Sequence, residues 1–145
     1  MKGYWGKGLE SVNVFTPDGW LKTGDLGKAD DEDYYFLVDR LKDIINSGGL
    51  KIYPREVEEV LFKHPAIIVA AVIPIPDEYF GEVPKAFIVA KEGYDLTAKE
   101  VQDFCNEQLS RYKVPKYYEI IDELPLSAAG KVLKRELIER ISSKD

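Results

Sequence analysis

The sequence predicts a small α+β domain, helices packed on one short β-sheet, and three observations carry that prediction. Two apolar runs, "AIIVAAVIPIP" (Ala66–Pro76) and "VPKAFIVAKEG" (Val83–Gly93), have the Val- and Ile-rich make-up of strands buried on both faces. Segments with apolar residues at helical spacing flank them, and one of these opens with a capping box, "TAKE" (Thr97–Glu100). Strands and helices mix without strict alternation, which argues against a parallel βαβ array.

Taken in order, the opening "MKGYWGKGLESVNVFTPDGWLKTGDLGKADDEDYY" is glycine-rich with scattered aromatics and no helical period, so short strands and turns are expected. "YYFLVD" (Tyr34–Asp39) reads as a strand, and "LKIYP" as a short extended piece ending at Pro54. "PREVEEVLFKH" places Val57, Val60 and Leu61 on one helix face, with Pro54 suited to the first turn. Ala66–Pro76 is expected as a central strand and Val83–Gly93 as its partner in kind. The helix capped by Thr97 runs through Val101, Phe104, Cys105 and Leu109. "KYYEIIDELP" offers a third strand of this part, and "LKRELIERI" a final helix.

Composition narrows the function classes. The 145 residues are 45% hydrophobic and 32% charged, the balance of a globular protein. A net charge of −6 disfavours nucleic acid as a partner: the basic stretch "KVLKRELIER" is diluted by Glu136 and Glu139. Cys105 is the only cysteine and His64 the only histidine, which removes disulfides, a Cys-based metal framework and self-contained Ser-His or Cys-His catalysis; no metal site is expected on the chain itself. No apolar run reaches membrane-spanning length and no signal-peptide pattern is present, so the expected location is cytoplasmic. His64 is expected at a helix end and Cys105 in the core.

Lys131 in "PLSAAGKVLKREL" (Pro125–Leu137) invites a phosphate-loop reading. A Walker loop needs G-x-x-x-x-G-K-[ST], and here Pro125 takes the first position and Val132 follows the lysine. On spacing alone, Gly130 is a turn residue and Lys131 a solvated lysine before a helix. Asp25 in "KTGDL" is in the same position: a turn cap, or a carboxylate placed to accept two ribose hydroxyls. "DRLKDIINSGGLKIYP" (Asp39–Pro54) is either a charged hairpin turned by glycines, or a place where backbone must approach a ligand closely.

The order and spacing of these segments resemble the carboxyl-terminal part of adenylate-forming enzymes. These are the acyl-CoA synthetases, peptide-synthetase adenylation domains and firefly-type luciferases. "GWLKTGDL" is similar to the family's Thr-Gly-Asp motif and "DRLKDIINSGGLKIYPREVEEVL" to its hinge motif. "GEVPKAFIV" is similar to its Gly-Glu strand motif, and "PLSAAGKVLKREL" to its terminal Gly-Lys motif. The resemblance implies two parts: residues 1–39 as the tail of a large AMP-binding domain, and residues 40–145 as a mobile carboxyl-terminal domain. It implies that Lys131 enters the active site during adenylation, where it contacts the substrate carboxylate and the α-phosphate of ATP. Asp25 would hold the ribose of ATP or AMP, and Arg40 the ribose or phosphates. Lys42 would be the hinge, and Ser47, Gly48 and Gly49 would line the pantetheine channel for CoA. ATP with Mg2+ and CoA are the implied co-substrates, and the large domain is the implied partner.

Within the family, the Ser-Gly-Gly turn and Pro54 resemble CoA ligases. Peptide synthetases usually carry a charged residue before a single glycine and Asn-Gly-Lys at the end, where this chain has Ala129-Gly130-Lys131. Luciferase-like enzymes usually show Lys-Gly-Tyr at the hinge. A fatty acid is the expected substrate, by general similarity to fatty acyl ligases. The Ser/Thr/Gly-rich phosphate loop, the adenine pocket and the acyl tunnel of complete members lie outside this sequence, so the chain alone is expected to be inactive. Two alternatives stand beside this reading: an adenylating domain that loads a carrier protein, and a stand-alone binding or regulatory module of the same fold.

Overall fold

A computed structural model describes residues 1–143; the last two residues of the expected 40–145 domain lie outside them. The chain divides into two compact units, Met1–Lys42 and a second from Asp43 onward.

The first unit begins with a short helix, α1 (Gly8–Asn13), where only turns and strands are expected. Six residues are too few to show a helical period, and the helix is held instead by Ser11. Its hydroxyl accepts from the Tyr4 N–H at 2.8 Å and donates to the Lys7 carbonyl at 2.6 Å. An antiparallel pair follows, β1 (Asp25–Ala29) and β2 (Tyr35–Arg40), with a bulge between Leu26 and Gly27. The strand expected at Tyr34–Asp39 is therefore present, displaced by one residue. No side chain of this unit enters a buried core, and Trp5, Trp20 and Tyr35 are largely exposed.

The second unit has one five-stranded sheet. Its strands are β3 (Ile45–Ser47), β4 (Leu50–Ile52), β5 (Ile67–Asp77), β6 (Gly81–Ala90) and β7 (Tyr117–Ile120). Strands β5 and β6 form a long antiparallel hairpin, from Ile67↔Ala90 to Asp77↔Gly81. On the other side of β6, β3 pairs at Ser47↔Gly81 and β7 runs parallel from Lys85↔Tyr117 to Ile88↔Ile120. The central strand is thus β6, and the expectation that Ala66–Pro76 is central is corrected: β5 pairs with β6 alone. Its two-faced burial comes from helices on both sides of the sheet, not from a position in the middle of it.

Alternation along β5 shows this directly, since successive side chains point to opposite faces. Ile67, Ala70 and Val72 join Val57, Val60 and Leu61 of α2 (Pro54–Leu61) and Val101 and Cys105 of α3 (Ala98–Gln108). Ala71 and Ile73 join Phe87, Leu124 and Leu137, the last from α4 (Lys134–Ser142). Pro54 occupies the first turn of α2, and the Thr97–Glu100 capping box is fully formed. Cys105 is fully buried, and burial pushes its thiol pKa upward. His64 follows α2, accepts from the Ala66 N–H at 3.2 Å and sets its ring edge-on to Phe104.

Candidate functional site

In the first unit, Gly24 has φ +79, a conformation open to glycine, and its carbonyl accepts from the Leu41 N–H at 2.8 Å. That turn delivers Asp25 to the start of β1, where its register partner is Arg40 at the end of β2. The guanidinium Nε lies 3.5 Å from the Asp25 carboxylate, and both side chains keep contact with solvent. The strand pair thus sets a carboxylate and a guanidinium side by side, two groups that can each bind a pair of oxygens or hydroxyls. Lys42 sits in the 3-10 turn Leu41–Asp43, exposed, at the last position of the first unit.

In the second unit, Gly48 and Gly49 are the two turn residues between Ser47 and its register partner Leu50. Their φ angles of +58 and +84 identify a type I′ hairpin turn, which needs positive φ at both positions. A Cβ on Gly48 would lie 3.1 Å from the Phe80 ring, whereas one on Gly49 would meet open space. The turn is tied to the sheet twice: the Gly48 N–H donates to the Phe80 carbonyl at 2.8 Å, and the Asn46 N–H to the Glu82 carboxylate at 2.9 Å. Strand β3 itself was not legible in the sequence, because three residues carry no periodicity.

Ser47 and Gly48 line a cavity of about 680 Å³ together with Phe80, Tyr112, Arg111 and Lys116. Asp77 braces two of these lining residues: one carboxylate oxygen accepts from the Tyr79 and Phe80 N–H groups, each at 3.0 Å, and the other pairs with Lys116 Nζ at 2.5 Å. The Lys116 hydrogen bond is the chief reason the Asp77 carboxyl is held down to about 2, and the same contact raises Lys116. Sequence reasoning assigned nothing to Phe80, Asp77, Tyr112 or Lys116. The signal open to it was the pair of prolines and charges in "IPIPDEYFGE", which marks the end of β5.

Lys131 lies in the connection between β7 and α4. Leu126 and Val132 form an isolated antiparallel bridge, closing a narrow loop. Inside it Ser127 N–H donates to the Lys131 carbonyl at 2.8 Å, Lys131 N–H to the Ser127 hydroxyl at 3.1 Å, and Gly130 N–H to the Ser127 carbonyl at 2.8 Å. Gly130 has φ +73, so the turn residue read from the sequence is a turn residue in the fold. Lys131 is exposed at the loop's end and is not among the residues lining the cavity beside Ser47. The structure therefore pairs Asp25 with Arg40, groups Ser47 with Gly48 and Gly49, and keeps Lys131 on a loop of its own.

Among the described residues no group of three or more His, Cys, Asp or Glu side chains could hold a metal ion. No helix among the described residues is long and apolar enough to cross a membrane.

The fold has counterparts among known proteins. Residues 56–131, more than half of the chain, match the family model for the AMP-binding enzyme C-terminal domain. A long-chain-fatty-acid–CoA ligase of Bacillus subtilis is 50% identical over 139 residues, 96% of this chain and 25% of that protein. Among solved structures, the ATP-bound MatB of Rhodopseudomonas palustris superposes with a TM-score of 0.91 at 35% identity. The match covers 96% of this chain and 28% of that one. The o-succinylbenzoate CoA synthetase of Bacillus subtilis, in complex with its acyl-adenylate intermediate, gives a TM-score of 0.86 at 42% identity, covering 94% and 28%. The chain spans about a quarter of the length of these three proteins. By its family model, its fold and these relatives, the chain belongs to the C-terminal domains of AMP-binding, adenylate-forming enzymes.

Proposed function

We propose that this chain is the mobile carboxyl-terminal part of an ATP-dependent acyl-CoA synthetase acting on a fatty acid, with residues 1–39 the tail of the large domain and 40–145 the moving domain. The observation that supports it best is the presence of two separately built loops, one ending in a lysine and one in a glycine pair beside a cavity. A reaction in two halves needs two such devices.

In the first half a carboxylate attacks the α-phosphate of ATP and pyrophosphate leaves. Both partners are anionic, and Lys131, placed between them, would offset that repulsion as the transition state forms. Asp25 would accept the ribose hydroxyls, and Arg40, already beside it, would reach the ribose or phosphates. Mg2+ would arrive with ATP, since no residues of this chain are assigned to it. In the second half the CoA thiol attacks the acyl carbonyl and AMP leaves. Rotation at Lys42 would withdraw Lys131 and present Ser47, Gly48 and Gly49 to the pantetheine arm, where a turn without side chains leaves room. The cavity that Ser47 and Gly48 line holds Lys116, which is paired with Asp77, and offers Phe80 and Tyr112 as ring surfaces and Arg111 as a cation. That is the chemistry for the adenine and phosphates at the far end of CoA.

The test uses a full-length enzyme carrying this chain as its carboxyl-terminal part. Acid-dependent ATP–pyrophosphate exchange is measured across carboxylic acids, and thioester formation is measured with CoA and with a phosphopantetheinyl carrier protein. Exchange highest with fatty acids and transfer to CoA is the expected result. Exchange driven by aromatic acids alone, or transfer to the carrier alone, overturns the respective half of the proposal.

A further inference from the structure

Beside each loop one glutamate joins separate elements of the fold. Glu58, on α2, is largely buried, and its carboxylate Oε1 accepts from the Val72 N–H at 2.8 Å and from Lys134 Nζ at 2.7 Å. Val72 lies on β5, which pairs with β6 on one side only, and its amide donates to Glu58. Glu58 therefore satisfies a backbone donor of an edge strand. The same oxygen holds Lys134, the first residue of α4 and three positions beyond Lys131. Helix α4 has no side-chain cap at its N-terminus, so this ion pair ties the head of α4, and with it the end of the Lys131 loop, to α2 and β5.

Glu82 has the corresponding place at the other loop. It stands on β6 next to Gly81, the register partner of Ser47, and its Oε2 accepts from the Asn46 N–H. That contact, the Ser47↔Gly81 pair and the Gly48 amide on the Phe80 carbonyl join the tip of the β3–β4 hairpin to β6 and the residue before it. A charged acceptor on a backbone amide is among the stronger hydrogen bonds, and here it sits one residue before the turn.

We propose that Glu58 is a positioning residue for the Lys131 loop and Glu82 a positioning residue for the Ser47–Gly49 turn, so that each carboxylate serves one half-reaction. The proposal rests on the two-loop reading of the function and goes beyond it, by assigning each half-reaction a support outside its own loop. Lysine is a flexible donor, and its reach to a shared oxygen pair depends on where its backbone is anchored. A displacement of about 1 Å in such a group costs up to about a hundredfold in rate. Lys134 is not a second catalytic cation in this account, because its ammonium is already spent on Glu58.

Two readouts test it. In the chain itself, amide hydrogen exchange is followed at Ser127–Leu133 and at Asn46–Leu50 for Glu58→Gln, Lys134→Met, Lys134→Arg and Glu82→Ala, with thermal midpoints alongside. Glu58→Gln and Lys134→Met are expected to speed exchange in the first segment only, Lys134→Arg to restore it, and Glu82→Ala to speed exchange in the second segment only. In the full-length enzyme the first two variants are expected to slow acid-dependent pyrophosphate exchange by about ten- to a hundredfold. Thioester formation from supplied acyl-adenylate stays intact in them, and Glu82→Ala does the reverse. Equal loss of both half-reactions, or loop amides that do not respond, overturns the positioning roles. Lys131→Ala is run in parallel: full pyrophosphate exchange in that variant defeats the functional reading, whatever the amides show.

Discussion

The Lys131 loop and the Ser47–Gly49 turn are both hairpin tips closed by positive-φ glycine, yet they are built on opposite principles. The Ser47–Gly49 turn belongs to the five-stranded sheet and packs its Gly48 against Phe80, with 3.1 Å between that ring and a Cβ that is not there. The Lys131 loop has a single bridge, Leu126↔Val132, and a glycine at its tip with nothing within 4 Å of where a Cβ would be. On the proposed function the first turn would line a narrow channel, where rigid backbone helps, and the second would deliver one charge, which needs a fixed base and a free end.

The contrast can be broken from either side. The largest effect on stability is expected from Leu137→Ala, since Leu137 is fully buried between α4 and the sheet. A loss of about 2–5 kcal/mol is the scale for such a cavity. Chemical denaturation would measure it, and amide protection around Lys131 should fall further than around Gly48. Gly48→Ala comes next: φ +58 is costly for alanine by about 1–2 kcal/mol, before the Phe80 contact is counted. Gly49→Ala, at φ +84, carries a positive-φ penalty without the contact, so a larger loss in Gly48→Ala points to the ring. Thr97→Ala removes the capping box of α3 at a residue that does not itself line the cavity beside Ser47, and should lower stability by about 1 kcal/mol. Its half-reactions should be unchanged, which makes it the control for stability loss alone.

The smallest effect is at acid pH. Asp77 has a folded pKa of about 2 against an ordinary 3.8, so the stability it contributes is complete above 3.8 and drains away as pH falls toward 2. Asp77→Asn should flatten that part of the acid unfolding curve, followed by circular dichroism, and should disturb the cavity lining at Phe80 and Lys116 while leaving the Lys131 loop amides alone.

Much of this fold was legible in the sequence where the signal is local. The Thr97–Glu100 box, the Pro54 start of α2 and the positive-φ glycines at 48, 49 and 130 are each set by neighbours in the chain. What stayed hidden was short or distant. Helix α1 and strand β3 are too brief to carry a period. The rank of β6 over β5 at the centre of the sheet depends on which edge receives β3 and β7, and residue composition does not encode that. The same holds for Glu58 with Lys134 and for Asp77 with Lys116, pairs far apart in sequence that only the sheet and its helices bring together. The two units differ in the same way. The second has two cores and follows its apolar pattern, while Trp5 and Trp20 of the first stand exposed on a unit with no buried core of its own.

The most direct test of the account is Lys131→Ala in a full-length enzyme carrying this chain, with the two half-reactions measured apart. Acid-dependent ATP–pyrophosphate exchange should fall by about a hundred- to a thousandfold, the scale for losing one donor to a transition-state oxyanion. Thioester formation from supplied acyl-adenylate and CoA should hold. If both rates are untouched, the Gly130-Lys131 pair is only a turn, and the two-loop account is wrong.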